Sequence, residues 1–267
     1  MPDLISAVST LLWEASETCV MPVFGKLAAD PKEKSPGEWI TEADKSSEAF
    51  LTPALHSLIP GALVIGEEAA YENPNMLHRL DDGTDIWLVD PLDGTANFAK
   101  GETPFALMVA LIRNRETVAS WILEPVAKQL SVSEKGSGSW INNQQITVSQ
   151  DSPDLKEMEG VVLRRFLPQE LVTHIDEVEG RFAKLSAGSK CAGFDYPSVA
   201  SGLMDFVLYW RTLPWDHAGG VLFLEEAGGY AARPDGTRFQ ISNYEELGLL
   251  VAQNEATWLQ VRSTLFP

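Results

Sequence analysis

Apolar residues recur at helical spacing through Leu4, Ile5, Val8, Leu11, Leu12, Ala15 and Cys19, which predicts an amphipathic opening helix over residues 4–29, kinked near Pro22. The polar, Pro- and Gly-containing stretch 30–38 reads as a flexible loop, and Thr41-Glu42-Ala43-Asp44 as the start of a second helix running to about Leu58. Pro60-Gly61 stops that helix, and residues 62–65 form a short buried strand that ends in Gly66-Glu67-Glu68. A further apolar strand covers 86–89. Residues 106–112 and 118–123 look like the arms of an antiparallel hairpin, and the strand-rich pattern continues through 130–133, Gly136-Ser137-Gly138 and 146–148.

The polar stretch 151–159 sets a soft internal boundary near residue 150 within a single unit spanning 1–267. Beyond it the pattern predicts a strand at 161–163, helices at 169–179 and 196–203, and a strand at 205–210. Residues 215–229 read as one helix, with Asp216 at its N-terminus and Gly228 as its stop. Gly219 and Gly220 inside it cost ~1 kcal/mol each against alanine, which implies that another backbone approaches closely there.

Composition narrows the function. The 38 Asp and Glu against 20 Lys and Arg give a formal charge of −18, which repels nucleic acid but tolerates a small phosphate ester if metal ions reverse the local potential. No apolar run approaches the ~20 residues of a spanning helix, and Met1-Pro2-Asp3-Leu4-Ile5 lacks a basic region followed by an apolar one, so the expectation is a cytoplasmic protein with no membrane partner. Cys19 and Cys191 have no zinc-ligand spacing and are read as packing residues.

The chemistry centres on residues 87–98, where an apolar segment delivers Asp90 and Asp93 into a turn containing Pro91, Gly94 and Thr95. Glu67, Asp90, Asp93 and Asp216 each stand where an apolar element ends, the place where α/β architectures gather functional groups. Four acids cannot share a pocket without neutralisation. An all-oxygen set favours Mg²⁺ or Mn²⁺ over zinc, and the matching chemistry is phosphoryl transfer with two ions ~3.5–4 Å apart, Asp90 being the candidate bridge. Haloacid-dehalogenase-type phosphatases place two aspartates two positions apart before Gly-Thr; here they are three apart, which argues against a phosphoaspartyl intermediate and for attack by water.

Taken together, Gly66-Glu67-Glu68, Asp90-Pro91-Leu92-Asp93-Gly94-Thr95, Asn97-Phe98 and Trp215-Asp216-His217-Ala218-Gly219-Gly220 resemble the inositol monophosphatase family of magnesium-dependent, lithium-sensitive phosphatases. Thr41 to Asp44, Gly136, Asn142-Asn143, Gly188-Ser189 and Glu226-Ala227-Gly228-Gly229 extend the likeness over most of the chain. The resemblance implies a layered α/β/α/β/α sandwich, usually a homodimer, with two or three Mg²⁺ ions. By it, Glu67, Asp90 and the Leu92 carbonyl hold one ion, Asp90, Asp93 and Asp216 a second, and Glu67 faces a third. Gly94 and Thr95 present N–H groups to phosphate, Thr95 oriented by Asp44 helps to activate water, and Glu68 assists behind them.

Substrate choice is placed in Gly188, Ser189, Lys190 and Tyr209, with Asp93, Gly94, Thr95 and Asp216 also touching the ester. Tyr209 stands where inositol-specific members carry a glutamate, Lys190 where a small residue is usual, and Ala96 where many have threonine. Lys190 and Arg211 are candidates for a second anionic group. The leading expectation is hydrolysis of inositol 1-phosphate to inositol and phosphate. Same-superfamily alternatives are 3′-phosphoadenosine 5′-phosphate, fructose bisphosphate and histidinol phosphate; an alternative of another class is a regulatory protein that docks on a macromolecule. His217 is a candidate to orient Asp216, His56, His78 and His174 are bystanders, and Trp87 and Trp215 are core supports.

Overall fold

The computed structural model describes residues 2–26, 31–35 and 38–267. Helix α1 (Pro2–Ala15) continues as a π-helical turn, Ser16–Val20, and the chain then leaves the helical path. The opening helix is therefore shorter than its apolar spacing predicts: Pro22, which cannot donate to a preceding carbonyl, lies in the turn that follows, and residues 27–29 of the expectation fall outside the described residues. The stretch read as a loop instead carries an antiparallel hairpin, β1 (Lys32–Ser35) and β2 (Glu38–Ile40). Its strands are only four and three residues long, too short for an apolar alternation to announce them. Helix α2 (Glu42–Leu58) starts where predicted, on a capping box between Thr41 and Asp44.

Next come β3 (Leu63–Gly66), α3 (Glu67–Glu72), β4 (Ile86–Asp93), α4 (Thr95–Phe98), β5 (Ala106–Arg113), β6 (Glu116–Glu124), β7 (Gln129–Glu134), β8 (Gly138–Ile141) and β9 (Gln144–Ile146). These seven strands form one sheet in sequence order, with β3 parallel to β4 and every later neighbour antiparallel. A second sheet follows from β10 (Glu159–Val162), α5 (Gln169–Val178), β11 (Lys184–Ser186), α6 (Ala192–Ala200), β12 (Phe206–Tyr209), α7 (Pro214–Glu226), β13 (Tyr230–Ala232), β14 (Leu249–Ala252) and α8 (Glu255–Leu265). Its strand order is β11-β10-β12-β14-β13.

Both sheets are buried on two faces, which is why β4, β5 and β6 read as near-continuous apolar runs. One face of the larger sheet packs Trp87, Val89, Val109 and Trp121 against Leu12 of α1 and Leu51 and Leu55 of α2. The opposite face sets Ile86, Leu88 and Ala110 against Trp215 and Ala218 of α7. Helices α6 and α7 lie between the sheets, and Ile175 of α5 with Trp258, Val261 and Leu265 of α8 covers the far face of the second sheet. The result is the layered α/β/α/β/α sandwich. Where another backbone is expected at the α7 glycines, side chains are the nearest atoms, with the Val109 carbonyl oxygen 3.8 Å from a Cβ on Gly219. A Cβ on Gly220 would fall 2.1 Å from the Tyr196 ring, and one on Gly219 3.2 Å from Ser120 Cβ.

Candidate active site

The central turn is made by a break in the β4–β5 ladder. Asp90 pairs with Met108 and Asp93 with Ala106, so β4 carries one extra residue across this step. Pro91, which has no N–H for the ladder, sits in the bulge, and the extra residue aims both aspartates off the sheet. Gly94 follows at φ +83°, where a Cβ would also strike the Pro104 carbonyl oxygen at 2.9 Å, so both backbone sign and space require glycine.

Asp90 Oδ1 accepts from Leu92 N at 3.0 Å, and Asp93 Oδ2 accepts from Gly193 N at 2.6 Å. The first turn of α7 brings the Asp216 carboxyl close to that of Asp90. Burial, then the charges of Glu67, Asp93 and Asp216, holds the Asp90 carboxyl well above its ordinary range; burial and Asp93 do the same to Asp216. Burial pushes Asp93 up to about 6 despite the Gly193 donor.

Thr95 opens α4 with its hydroxyl 3.0 Å from Asp44 Oδ1 and 2.8 Å from the Leu92 carbonyl. Asp44 is fully buried, and its other oxygen accepts from the Thr41 backbone N–H at 2.7 Å and hydroxyl at 2.6 Å. Burial outweighs these donors and raises it to about 6. Glu67 and Glu68 begin α3. Burial, then Glu67, raises Glu68 to about 7.

Two residues beside these acids escape the sequence reading. Lys34 of β1, its side chain 5 % exposed, reaches Glu67 at 3.2 Å and also pairs with Glu68. Burial works against its charge, but the two glutamates hold the ammonium above its ordinary value. Glu48 of α2 accepts from Glu68 N at 2.9 Å and Ala69 N at 3.0 Å, capping α3 through the space that Gly66 leaves: a Cβ there would lie 2.2 Å from its carboxyl carbon. Glu48 stands four positions after Asp44, one turn on along the same face of α2, a spacing that could have found it. Nothing in the hairpin sequence points Lys34 inward.

The acids fit a hard divalent cation by chemistry: oxygen donors only, largely buried, mutually repelling. Among the described residues no three acidic, imidazole or thiol side chains surround one point as they would surround an ion. Glu67 is turned to Lys34, Asp90 to Leu92 and Asp93 to Gly193, so holding an ion calls for side-chain rotation within an assembled acidic pocket.

The selectivity residues divide. Ser189 and Cys191 abut the turn: the Ser189 carbonyl accepts from Asn97 Nδ2 at 2.8 Å, and a Cβ on Gly94 would lie 3.3 Å from Cys191 Cβ. Gly188 has φ +84° and Lys190 φ +62°, with an exposed side chain. Tyr209 is buried, and its hydroxyl donates to Asp195 Oδ2 at 3.3 Å. Arg211 pairs with Glu38 of the hairpin and covers Phe166 at 4.5 Å. His217 bridges the Tyr196 hydroxyl at 2.8 Å and the Arg211 carbonyl at 3.3 Å; burial lowers it to about 3, so it is a neutral core residue. His56 and His174 bond to backbone carbonyls away from the acids. No described helix is long and apolar enough to cross a membrane.

Known proteins converge on one family. A Mesorhizobium japonicum protein named inositol-1-monophosphatase is 31 % identical over 227 residues, 83 % of this chain and 80 % of its own. A Thermotoga maritima fructose-1,6-bisphosphatase/inositol-1-monophosphatase is 27 % identical over 75 % of this chain and 74 % of its own. The crystal structure of the extragenic suppressor protein suhB from Bartonella henselae superposes with a TM-score of 0.84 at 22 % identity, covering 99 % of this chain and 98 % of that one. The inositol monophosphatase family profile matches residues 3–263, and the chain belongs to that family, which acts on small phosphorylated substrates and is generally Mg²⁺-dependent.

Proposed function

We propose that the chain is a Mg²⁺-dependent phosphomonoesterase that transfers the phosphoryl group of a small ester, inositol 1-phosphate first among them, to water. One observation carries this: Asp90, Asp93 and Asp216 are gathered, buried, beside a glycine turn whose threonine hydroxyl is bonded to a buried carboxylate. Glu67, Asp90, the Leu92 carbonyl, Asp93 and Asp216 are the groups to hold the ions. Bound there, Mg²⁺ supplies positive charge to the phosphate oxygens and makes a water more acidic.

The chain's own part is positioning and proton transfer. With its hydrogen on Asp44, the Thr95 oxygen turns a lone pair toward the site and accepts a proton from the attacking water. Asp44, raised to about 6, takes the threonine proton in turn. As the water oxygen bonds to phosphorus, the ester oxygen leaves with its electron pair. The N–H groups of Gly94 and Thr95 face the phosphate oxygens.

Phosphate release from inositol, sugar and nucleotide phosphates with Mg²⁺, with and without Li⁺, tests the reading. Rapid Li⁺-sensitive release from inositol 1-phosphate supports it; a stoichiometric phosphoenzyme after acid quench refutes attack by water. A second reading, a bisphosphate substrate, is favoured by Lys190 beside the turn and by the inward-facing Tyr209 hydroxyl.

A further inference from the structure

No motif in the sequence singles out Asp195 of α6, yet it is fully buried behind the selectivity loop. Ser189 Oγ donates to its Oδ1 at 2.7 Å and the Tyr209 hydroxyl to its Oδ2 at 3.3 Å. The same Ser189 oxygen accepts from Cys191 N at 3.1 Å, while the Ser189 carbonyl is held by Asn97 Nδ2, which also reaches the Pro104 carbonyl at 2.8 Å. Asn97 belongs to α4, the helix that starts at the phosphate turn. The loop is thus clamped from the core by Asp195 and from the turn by Asn97.

Lys190 stands between the clamped residues at φ +62°, a conformation that glycine adopts freely and lysine does not. Such a residue persists where its surroundings over-determine it. Lys190 has an exposed side chain, and its neighbours Ser189 and Cys191 both abut the 90–95 turn, so its backbone stands beside that turn. Tyr209 gives its hydroxyl hydrogen to Asp195 and brings no carboxylate to a sugar hydroxyl.

We propose that Asp195 is a positioning residue for substrate choice: with Tyr209 and Asn97 it holds the 188–191 loop in the shape that carries Lys190 beside the phosphate turn, where its ammonium recognises a second anionic group of the substrate. The inference rests on the phosphomonoesterase reading above and adds a substrate class, an ester that bears a further phosphate or carboxylate.

The test is kcat and KM with Mg²⁺ for fructose 1,6-bisphosphate and inositol 1-phosphate in the full chain and its variants. Lys190→Ala raises the ratio of bisphosphate to monophosphate KM roughly tenfold, the loss of one charge-assisted contact. Asp195→Ala raises the same ratio through KM, and Asp195→Asn, whose amide oxygen still accepts from Ser189, restores most of it. Lys190→Gly loses the preference while Tm rises by about 2–4 °C as the left-handed residue is relieved.

A uniform fall in kcat for both esters in Asp195→Ala, with the KM ratio fixed, overturns the positioning role. An unchanged ratio in Lys190→Ala and Lys190→Gly overturns the anion-reading role while leaving the phosphatase intact. No release from any ester by the wild type sinks the underlying reading instead. Should Asp195→Ala fail to fold, Asp195→Asn and the two Lys190 variants decide the matter.

Discussion

The Asp90–Thr95 turn and the 188–191 loop touch each other, yet they are built by opposite means. The turn's backbone is local: a proline in a bulge, a left-handed glycine and a helix start shape it within six consecutive residues. The loop is held from outside, by Asp195 on the following helix, Tyr209 on a strand and Asn97 on the turn's own helix. A turn whose backbone is shaped by contiguous residues can keep its geometry, while the loop that sets selectivity drifts with partners that change independently. The replacements at Lys190 and Tyr209, beside an intact acidic set, fit that division.

The division is broken most directly by neutralising the turn. Asp93→Asn or Asp216→Asn should lower kcat/KM on the order of 10³-fold or more for every ester alike, with folding retained because the amide oxygen introduced by Asp93→Asn still accepts from Gly193 N. Retained turnover in steady-state assays removes the metal assignment. Lys34→Met takes the internal cation from Glu67 and Glu68 while keeping its apolar stem, and should cost the metal-free protein about 3 kcal/mol in urea unfolding, recovered when Mg²⁺ is added. An unchanged midpoint would show that Lys34 is an onlooker.

Thr95→Ala should lower kcat roughly 10²-fold with little change in KM, since the hydroxyl acts on the attacking water and not on the leaving group. A smaller but broader effect follows from pH. Asp44 and Asp93 are raised to about 6, and Glu68 and Asp195 to about 7, so the folded chain binds these protons more tightly than the unfolded one. Their stabilising contribution is full below the ordinary carboxylate range and is lost as pH rises through about 6 to about 7. Scanning calorimetry of the metal-free protein should show Tm falling from the ordinary carboxylate range up to about 7, and Mg²⁺ should flatten the slope; a Tm that climbs with pH contradicts the burial that raises these carboxyls.

Where the sequence was legible, the cause lay within a few residues. The start of α2, the β5–β6 hairpin and the helix carrying Asp216 follow from capping, alternation and turn chemistry. Strands β11, β13 and β14 are only three or four residues long, and they and helix α8 are defined by a neighbour across the sheet or a core beneath them. The β1–β2 hairpin hides within a loop-like stretch for the same reason.

The sequence by itself determined that anionic oxygens, a glycine turn and a hydroxyl occur in an order suited to phosphate and hard cations, because that chemistry lives in residue type and short spacing. Only the tertiary structure decided which charge answers which. It placed Lys34 on Glu67 and Glu68, turned Tyr209 and His217 into the core, and set Asp195 behind Lys190, because burial and hydrogen-bond partners come from residues distant in the chain and are fixed when the two sheets close over the helices between them.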